Sequence, residues 1–512
     1  MQSPLAGCGW LSNQLLTYSI ENIGNSQLNQ NIMNDKFYIT TPIYYANAAP
    51  HIGHAYTTVA ADTAARFSRL EGKKTFMLTG MDEHGAKIQE KADSEGKTPQ
   101  ELVNSVADDF RSLWSELGID YDNFIRTTDV AHKETVQKTL QHLYDEGMIY
   151  KGEYEGLYCV GCEQYLNESD LIDGKCPDHD REPEVMSEES YMLKMGEKQK
   201  ELIEKIESNE IEIVPERYKN EILSFLKEQK LKDLSISRKN VSWGIALPFD
   251  ESHTAYVWFD AFLNYLTGLG WNGNPQNTPG FWPADTHLIG KDILRVHATI
   301  WPIMLMHLGI ELPKKIFTHG HILSGGKKMS KTLGNVIGID EMMAQFGKDG
   351  TRYLLLSAGT FSEDVDLTME RMTEKYNNDL ANGLGNLVSR VVKLSEDLDL
   401  NESIREAIEE PAKVRQQCKT DVLRDTMEKM EFSKSLESIW GIVRDSNKKI
   451  EDTKPWELKK TDQDKFEAVM GGLILDLFRV SQLLIPFIPE TAEKIKKALE
   501  TKERVILFER IK

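Results

Sequence analysis

The sequence predicts an α/β parallel-sheet domain interrupted by an insertion and followed by an all-α helical bundle. Three observations predict it. Residues 36–78 read as strand, helix and strand. Residues 151–190 lose helical periodicity and hold three of the five cysteines. From about 371 onward the chain shows long amphipathic segments and no strand-like run.

Taken in order, residues 36–42 (KFYITTP) are β-branched and aromatic, which suits a buried strand. A loop over 43–51 carries Tyr44, Tyr45, Asn47 and Pro50. Ile52, Tyr56, Val59, Thr63, Phe67 and Leu70 then recur every three or four residues, a helical stripe that Gly72 ends. Thr75–Leu78 is a second strand, leading into the loop Gly80-Met81-Asp82-Glu83-His84-Gly85. Such a β-α-β unit implies a parallel sheet with a right-handed crossover. After the insertion, residues 196–230 return to charged helix. The stretch 254–325 is α/β again, with strand-like runs at Thr286–Ile289 and Ile316–His319 and a Gly-Gly-Lys-Lys turn at 325–328. Asn386–Leu400 and Phe466–Ile485 are amphipathic segments of the predicted bundle.

A length of 512 residues leaves room for three or four modules. With 40% hydrophobic residues the composition is globular rather than disordered. No apolar run approaches the ~18 residues of a membrane span, so no membrane partner is expected. The net charge of −20 argues against a broadly basic protein that coats nucleic acid, yet leaves room for a local basic patch. The first basic residue is Lys36, so residues 1–35 lack the basic region of a secretory signal and the arginines of a transit peptide. They read as a disordered leader or an over-extended start, with Met33 just before the first strand, and the cytoplasm is the default location.

Three clusters carry chemistry. His51-Ile52-Gly53-His54 lies where a loop enters a helix; a helix N-terminus attracts anions, and two histidines there can donate to phosphate oxygens. The plain alternative is two surface histidines beside a glycine. Lys327-Lys328-Met329-Ser330-Lys331-Thr332 follows two glycines, and lysines on such a loop suit a polyphosphate whose charge grows during reaction. Its plain alternative is a solvated basic turn. The cysteines are Cys8, Cys159, Cys162, Cys176 and Cys418, an odd count that makes a poor disulfide framework. The spacing Cys159-x2-Cys162-x13-Cys176-x2-His179 instead suits two knuckles closing on one tetrahedral Zn²⁺, with Gly161 and Gly174 at the turns. Four ligands leave no open position, so the predicted zinc is structural; the alternative is a set of unligated reduced cysteines.

HIGH followed by KMSKT, in that order and context, resembles the paired signature of class I aminoacyl-tRNA synthetases. Over roughly 36–490 the chain resembles the methionyl-tRNA synthetase family of the bacterial single-zinc-knuckle type. Lys328 follows His54 by 274 residues, which excludes the long editing insertion of the valine, isoleucine and leucine enzymes.

The resemblance implies a split Rossmann-like catalytic domain over 36–150 and 251–325 and a connective zinc insertion over 151–250. It also implies a KMSK connector over 326–370 and an α-helical anticodon-binding domain over 371–512. It implies that the chain activates L-methionine with ATP and Mg²⁺ and then charges initiator and elongator tRNA(Met). His51, Gly53, His54 and Lys331 would bind ATP, with His51, His54, Lys328 and Lys331 supporting catalysis. Ile43, Tyr45, Asp82, Trp258, Ala261, Tyr265, Ile293 and His297 would bind methionine, Asp82 through the α-amino group. Asn386, Arg390 and Trp456 would read the CAU anticodon. Thr332 stands where many relatives have Ser and keeps the hydroxyl. Dimeric relatives carry a further C-terminal domain, so a monomer is expected. Rival readings are a short class I synthetase for another amino acid such as cysteine, a zinc-stabilised RNA-binding paralogue without catalysis, and a small-nucleotide adenylyltransferase.

Overall fold

The predicted β-α-β unit opens the fold as β1 (Lys36–Tyr45), α1 (Ile52–Leu70) and β2 (Lys74–Asp82), followed by β3 (Asn123–Arg126). The computed structural model describes residues 36–161, 164–166, 171–177, 179–239, 241–329, 336–398, 405, 408–411 and 421–512. Residues 1–35, Cys8, Cys162, Lys331, Thr332 and Cys418 lie outside them. Helix α1 begins and ends where its apolar stripe does, but it is buried on more than that stripe. Ala55, Ala60, Ala61, Ala64 and Ala65 fill the intervening positions, so α1 sits between the sheet and the helix Ile339–Leu356 as a core element.

The insertion contributes β4 (Ile149–Cys159), β5 (Gln164–Leu166), β6 (Glu184–Leu193) and β8 (Leu234–Ser235), an antiparallel sheet ordered β5-β4-β6-β8. Residues 196–230, expected as one helical stretch, are two helices, Gln199–Glu207 and Glu216–Glu228, parted by β7 (Glu212–Val214). The run Ile211, Ile213, Val214 before Pro215 is β-branched and cannot continue as helix through a proline. β7 pairs in parallel with β13 (Lys315–His319) and so becomes the edge strand of the main sheet, although it lies within the 151–250 stretch. β9 (Ser237–Arg238), β10 (Ala246–Leu247) and β11 (Asp250–Ala255) form a small antiparallel sheet.

β12 (Thr286–Gly290) and β13 (Lys315–His319) complete the main sheet, ordered β3-β2-β1-β12-β13-β7 and parallel throughout. The chain leaves β1 toward β2 on one side and returns beside it as β12 on the other. That reversal opens a crevice at the carboxyl ends of β1 and β12, the place where open α/β sheets bind ligands. β14 (Ile322–Ser324), β15 (Lys327–Lys328) and β16 (Val365–Asp366) form a small sheet around the Gly-Gly-Lys-Lys turn.

The described residues between 371 and 499 contain no strand. The wide-turned segment Tyr376–Gly385 runs into the helix Asn386–Leu394, and Phe432–Thr453, Pro455–Thr461, Gln463–Leu484 and Pro489–Thr501 complete the bundle. The helix expected to reach Leu400 ends at Leu394, where the Ser395 hydroxyl turns back to the Val392 carbonyl at 3.0 Å. One core runs from α1 through Leu436 and Leu477 of the bundle, and a second, on the other face of the sheet, joins Leu193 and Ile206 to Phe259 and Trp301. No helix among the described residues is long and apolar enough to cross a membrane.

Candidate active site

A cavity of about 880 Å³ opens at the crevice between β1 and β12. Ile43, Tyr45, Asp82, Trp258, Ala261, Tyr265, Ile293 and His297 all line it, together with His51, Gly53 and His54. Residues from five separated stretches of the chain thus face one space. Met329 of the lysine-rich loop and Val336–Asp340 just beyond it also line the cavity. The backbone of Lys328 lies in β15, beside Met329.

His51 and His54 cap α1 reciprocally. His51 Nδ1 accepts the Gly53 N–H at 3.1 Å, and His54 Nδ1 accepts the His51 N–H at 3.2 Å. Their rings stack with centroids 3.7 Å apart. With Nδ1 acting as acceptor in both, a neutral ring carries its hydrogen on Nε2. Burial, and then the neighbouring His51, push the His54 imidazole well below its ordinary value, so that ring is a neutral donor. A Cβ on Gly53 would stand 3.0 Å from His51 Cε1, so the absence of a side chain there lets the capping ring lie over the backbone.

The pocket wall is aromatic. Trp258 meets His297 edge-on with centroids 6.1 Å apart, and Phe262 stacks on Trp301 at 5.8 Å. His297 donates Nδ1–H to the Ile293 carbonyl at 2.9 Å and accepts the Tyr265 hydroxyl on Nε2 at 2.8 Å. Burial holds His297 down to about 4, which keeps it neutral and fixes those two roles.

Behind the wall lie residues that sequence reasoning passed over. The Asp260 carboxylate accepts from His84 Nδ1 at 2.6 Å and from His132 Nε2 at 2.7 Å. Burial pushes Asp260 up, but the two histidines more than offset this and hold it below the ordinary carboxylate value. Glu83, fully buried, receives Arg126 Nε at 2.6 Å and the Thr128 hydroxyl. Asp292 lines the cavity and lies 3.5 Å from His321 Nε2. The loop 80–85 and the segment 254–265 were both visible in the sequence; the pairing between them was not.

Three of the four predicted metal ligands come together. Cys176 Sγ and Cys159 Sγ lie 3.8 Å and 4.0 Å from His179 Nδ1. All three ligand atoms fall within 4.8 Å of one another. A tetrahedral zinc with Zn–S near 2.3 Å and Zn–N near 2.0 Å puts sulfur and nitrogen about 3.6 Å apart, so the donors fit that ion. Gly161 serves more than a turn: a Cβ there would stand 2.4 Å from His179 Cγ.

In the bundle, Arg390 and Trp456 meet, with the guanidinium carbon 5.9 Å from the indole centroid. Asn386 is exposed one helical turn before Arg390, and Trp456 is 41% exposed.

A family model described as tRNA synthetases class I (M) matches residues 37–182 and 169–392, and one described as the anticodon binding domain of methionyl tRNA ligase matches residues 405–509. The parallel sheet, the capped HIGH helix and the helical domain behind them define a class I aminoacyl-tRNA synthetase. Among curated relatives, a methionine–tRNA ligase of Clostridium acetobutylicum is 45% identical over 481 residues, covering 91% of this chain and 73% of its own length. One of Streptomyces coelicolor is 39% identical over 490 residues, covering 90% and 89%. The Mycobacterium tuberculosis methionyl-tRNA synthetase in complex with methionyl-adenylate superposes with a TM-score of 0.81 at 34% identity, covering 90% of this chain and 93% of that one. Its apo form gives 0.74. The chain belongs to the methionine–tRNA ligase family, enzymes that join methionine to tRNA.

Proposed function

We propose that the chain activates L-methionine with ATP in the cavity at the sheet crevice and passes the methionyl group to the 3′ adenosine of initiator and elongator tRNA(Met). The observation that carries this reading is the meeting of an aromatic, thioether-sized wall and the capped HIGH helix on one cavity. The methionine carboxylate attacks the α-phosphorus in line; an acyl–phosphate bond forms, and the bond to pyrophosphate breaks with its electron pair leaving on pyrophosphate. No protein nucleophile is needed, so the residues position groups and stabilise charge.

Asp82 holds the α-amino group, and Ile43, Tyr45, Trp258, Ala261, Tyr265, Ile293 and His297 enclose the side chain. His51 and His54 donate Nε2–H to the ATP phosphates above Gly53. Lys331 and Lys328 take up the charge developing on pyrophosphate, and Mg²⁺ enters with ATP. Cys159, Cys162, Cys176 and His179 hold one structural zinc, which fixes the insertion beside the cavity. Asn386, Arg390 and Trp456 read the anticodon, the indole by stacking and the other two at base edges. The six segments drawn from the sequence, a cytoplasmic setting and a monomeric state belong to the same reading.

The test is amino-acid-dependent ATP–pyrophosphate exchange without tRNA, across methionine, leucine, isoleucine, valine and cysteine. Exchange with methionine alone is expected. Exchange with another amino acid would overturn the pocket, and exchange with none, from folded zinc-loaded protein, would overturn the catalytic reading.

A further inference from the structure

His84 and Asp260 join the two stretches of chain that build the methionine side of the cavity. His84 lies two residues beyond Asp82 in the loop that follows β2. Asp260 lies between Trp258 and Ala261 in the short helix Val257–Phe262. Asp82, Trp258 and Ala261 line the cavity, whereas His84 and Asp260 stand behind it, 5% and 1% exposed. Both oxygens of Asp260 are engaged: Oδ2 takes His84 Nδ1–H at 2.6 Å and Oδ1 takes His132 Nε2–H at 2.7 Å. His132 Nδ1 meets the Thr267 hydroxyl at 2.7 Å, which anchors the chain of bonds to the helix Val130–Asp145 and to the segment after Tyr265. On its other side the loop is held by Trp243, whose Nε1 donates to the Glu83 carbonyl at 2.5 Å and whose carbonyl accepts the Gly85 N–H at 3.1 Å.

We propose that Asp260 is a positioning residue for methionine, setting through His84 the distance between the amino-group anchor at Asp82 and the side-chain wall at Trp258 and Ala261. The proposal rests on the methionine reading above and adds to it a residue that touches no substrate. A helix of six residues does not hold its own place, because nucleation outweighs so few hydrogen bonds. The wall therefore depends on what ties the helix down. The span from anchor to wall decides how long a side chain is accepted, so loosening it weakens the preference for an unbranched thioether over leucine. A buried polar network that served stability alone would affect folding and leave that preference intact.

The experiment measures ATP–pyrophosphate exchange by Asp260→Asn and by His84→Asn. KM is determined for methionine and for ATP, with leucine as competitor, alongside thermal unfolding. Asp260→Asn keeps the volume but sets an amide N–H against a ring N–H. Expected is a rise in KM for methionine of about tenfold, the size of one charge-assisted hydrogen bond, with KM for ATP within about twofold of the unsubstituted protein. The preference for methionine over leucine falls in parallel. An unchanged KM for methionine and unchanged preference in folded variants would overturn the proposal, as would an equal rise in both KM values. Should Asp260→Asn not fold, His84→Asn keeps the His132 bond and is judged by the same outcomes. Absence of methionine-dependent exchange in the unsubstituted protein, read first, overturns the functional reading instead.

Discussion

Arg352 Nη2 lies 2.6 Å from Asp62 Oδ2, and neither side chain is exposed. Asp62 sits midway along α1, ten residues from its N-terminal His-Ile-Gly-His turn, and also accepts from Arg66 Nε at 2.8 Å and Asp120 N at 2.9 Å. Arg352 belongs to the helix that follows the lysine-rich loop, and it donates to the carbonyls of Phe487 at 2.8 Å, Pro486 at 3.2 Å and Leu117 at 3.3 Å. One guanidinium thereby ties the helix that carries the His-Ile-Gly-His turn to the corner between the last two helices of the bundle. Removing the guanidinium breaks a buried ion pair, leaves Asp62 with Arg66 as its one cationic partner among the described residues and takes the donor from three carbonyls, so Arg352→Gln is expected to cost about 3–5 kcal/mol in urea unfolding. A loss under about 1 kcal/mol would mean that the site relaxes or hydrates.

Gly53→Ala separates helix stability from activity. Alanine favours helix over glycine by up to about 1 kcal/mol. The added Cβ, however, presses on the His51 ring at 3.0 Å and displaces the cap. Misplacement of this kind is expected to lower kcat for adenylate formation about 10²-fold while the protein unfolds no earlier. Stopped-flow adenylate formation and thermal scans check the two halves.

Acid sensitivity follows from the buried imidazoles. His297 and His319 are both pushed down to about 4 by burial, against the ordinary value of 6.5 that the unfolded chain recovers. Between those values the unfolded chain binds more protons, so stability from these groups is complete above 6.5 and is lost as pH falls toward about 4. Thermal midpoints are expected to fall across that window, and less steeply in His297→Gln. KM for methionine is expected to stay flat from about pH 7 to 8, where the Tyr265–His297 hydrogen bond keeps one form.

Gly161→Ala is expected to lose zinc even though the ligands remain, because its Cβ would displace the His179 ring. Inductively coupled plasma mass spectrometry should find one zinc per unsubstituted chain and substoichiometric metal in the variant. Chelation should then lower the thermal midpoint of the unsubstituted protein.

Trp456→Ala is expected to raise KM for tRNA at least about tenfold, the value of one stacked base, and Arg390→Ala by a similar factor. Because guanidinium and indole face each other, the double variant should cost less than the product of the two. Aminoacylation of tRNA(Met) transcripts measures this.

Local patterns in the sequence reached far. The stripe from Ile52 to Leu70 marked α1 to its ends, and the cysteine spacing foretold that Cys159, Cys176 and His179 would meet. Contacts between distant segments were not legible. Asp260 is 176 residues from His84 and 128 from His132, and no periodicity links them. β7 escaped notice because three residues carry too little alternation to stand out between two helices. The mutual capping of His51 and His54 was hidden for another reason: imidazoles occupy positions where hydroxyls and carboxylates usually announce a helix start.

The parallel pairing of β1 with β12 fixes when the ligand crevice can exist. Thr40 and His287 share a hydrogen bond across 247 residues, and β7 in turn pairs only with β13, which leaves the ribosome after β12. A ribosome releasing this chain from its N-terminus delivers the HIGH helix and the metal knuckle well before the opposite wall. Strand β2 can pair with β1 early, but the far edge of β1 stays open until β12 emerges. During synthesis that open edge is where a nascent chain is most exposed to wrong partners, so tight packing around α1 also bears on whether the enzyme is made intact.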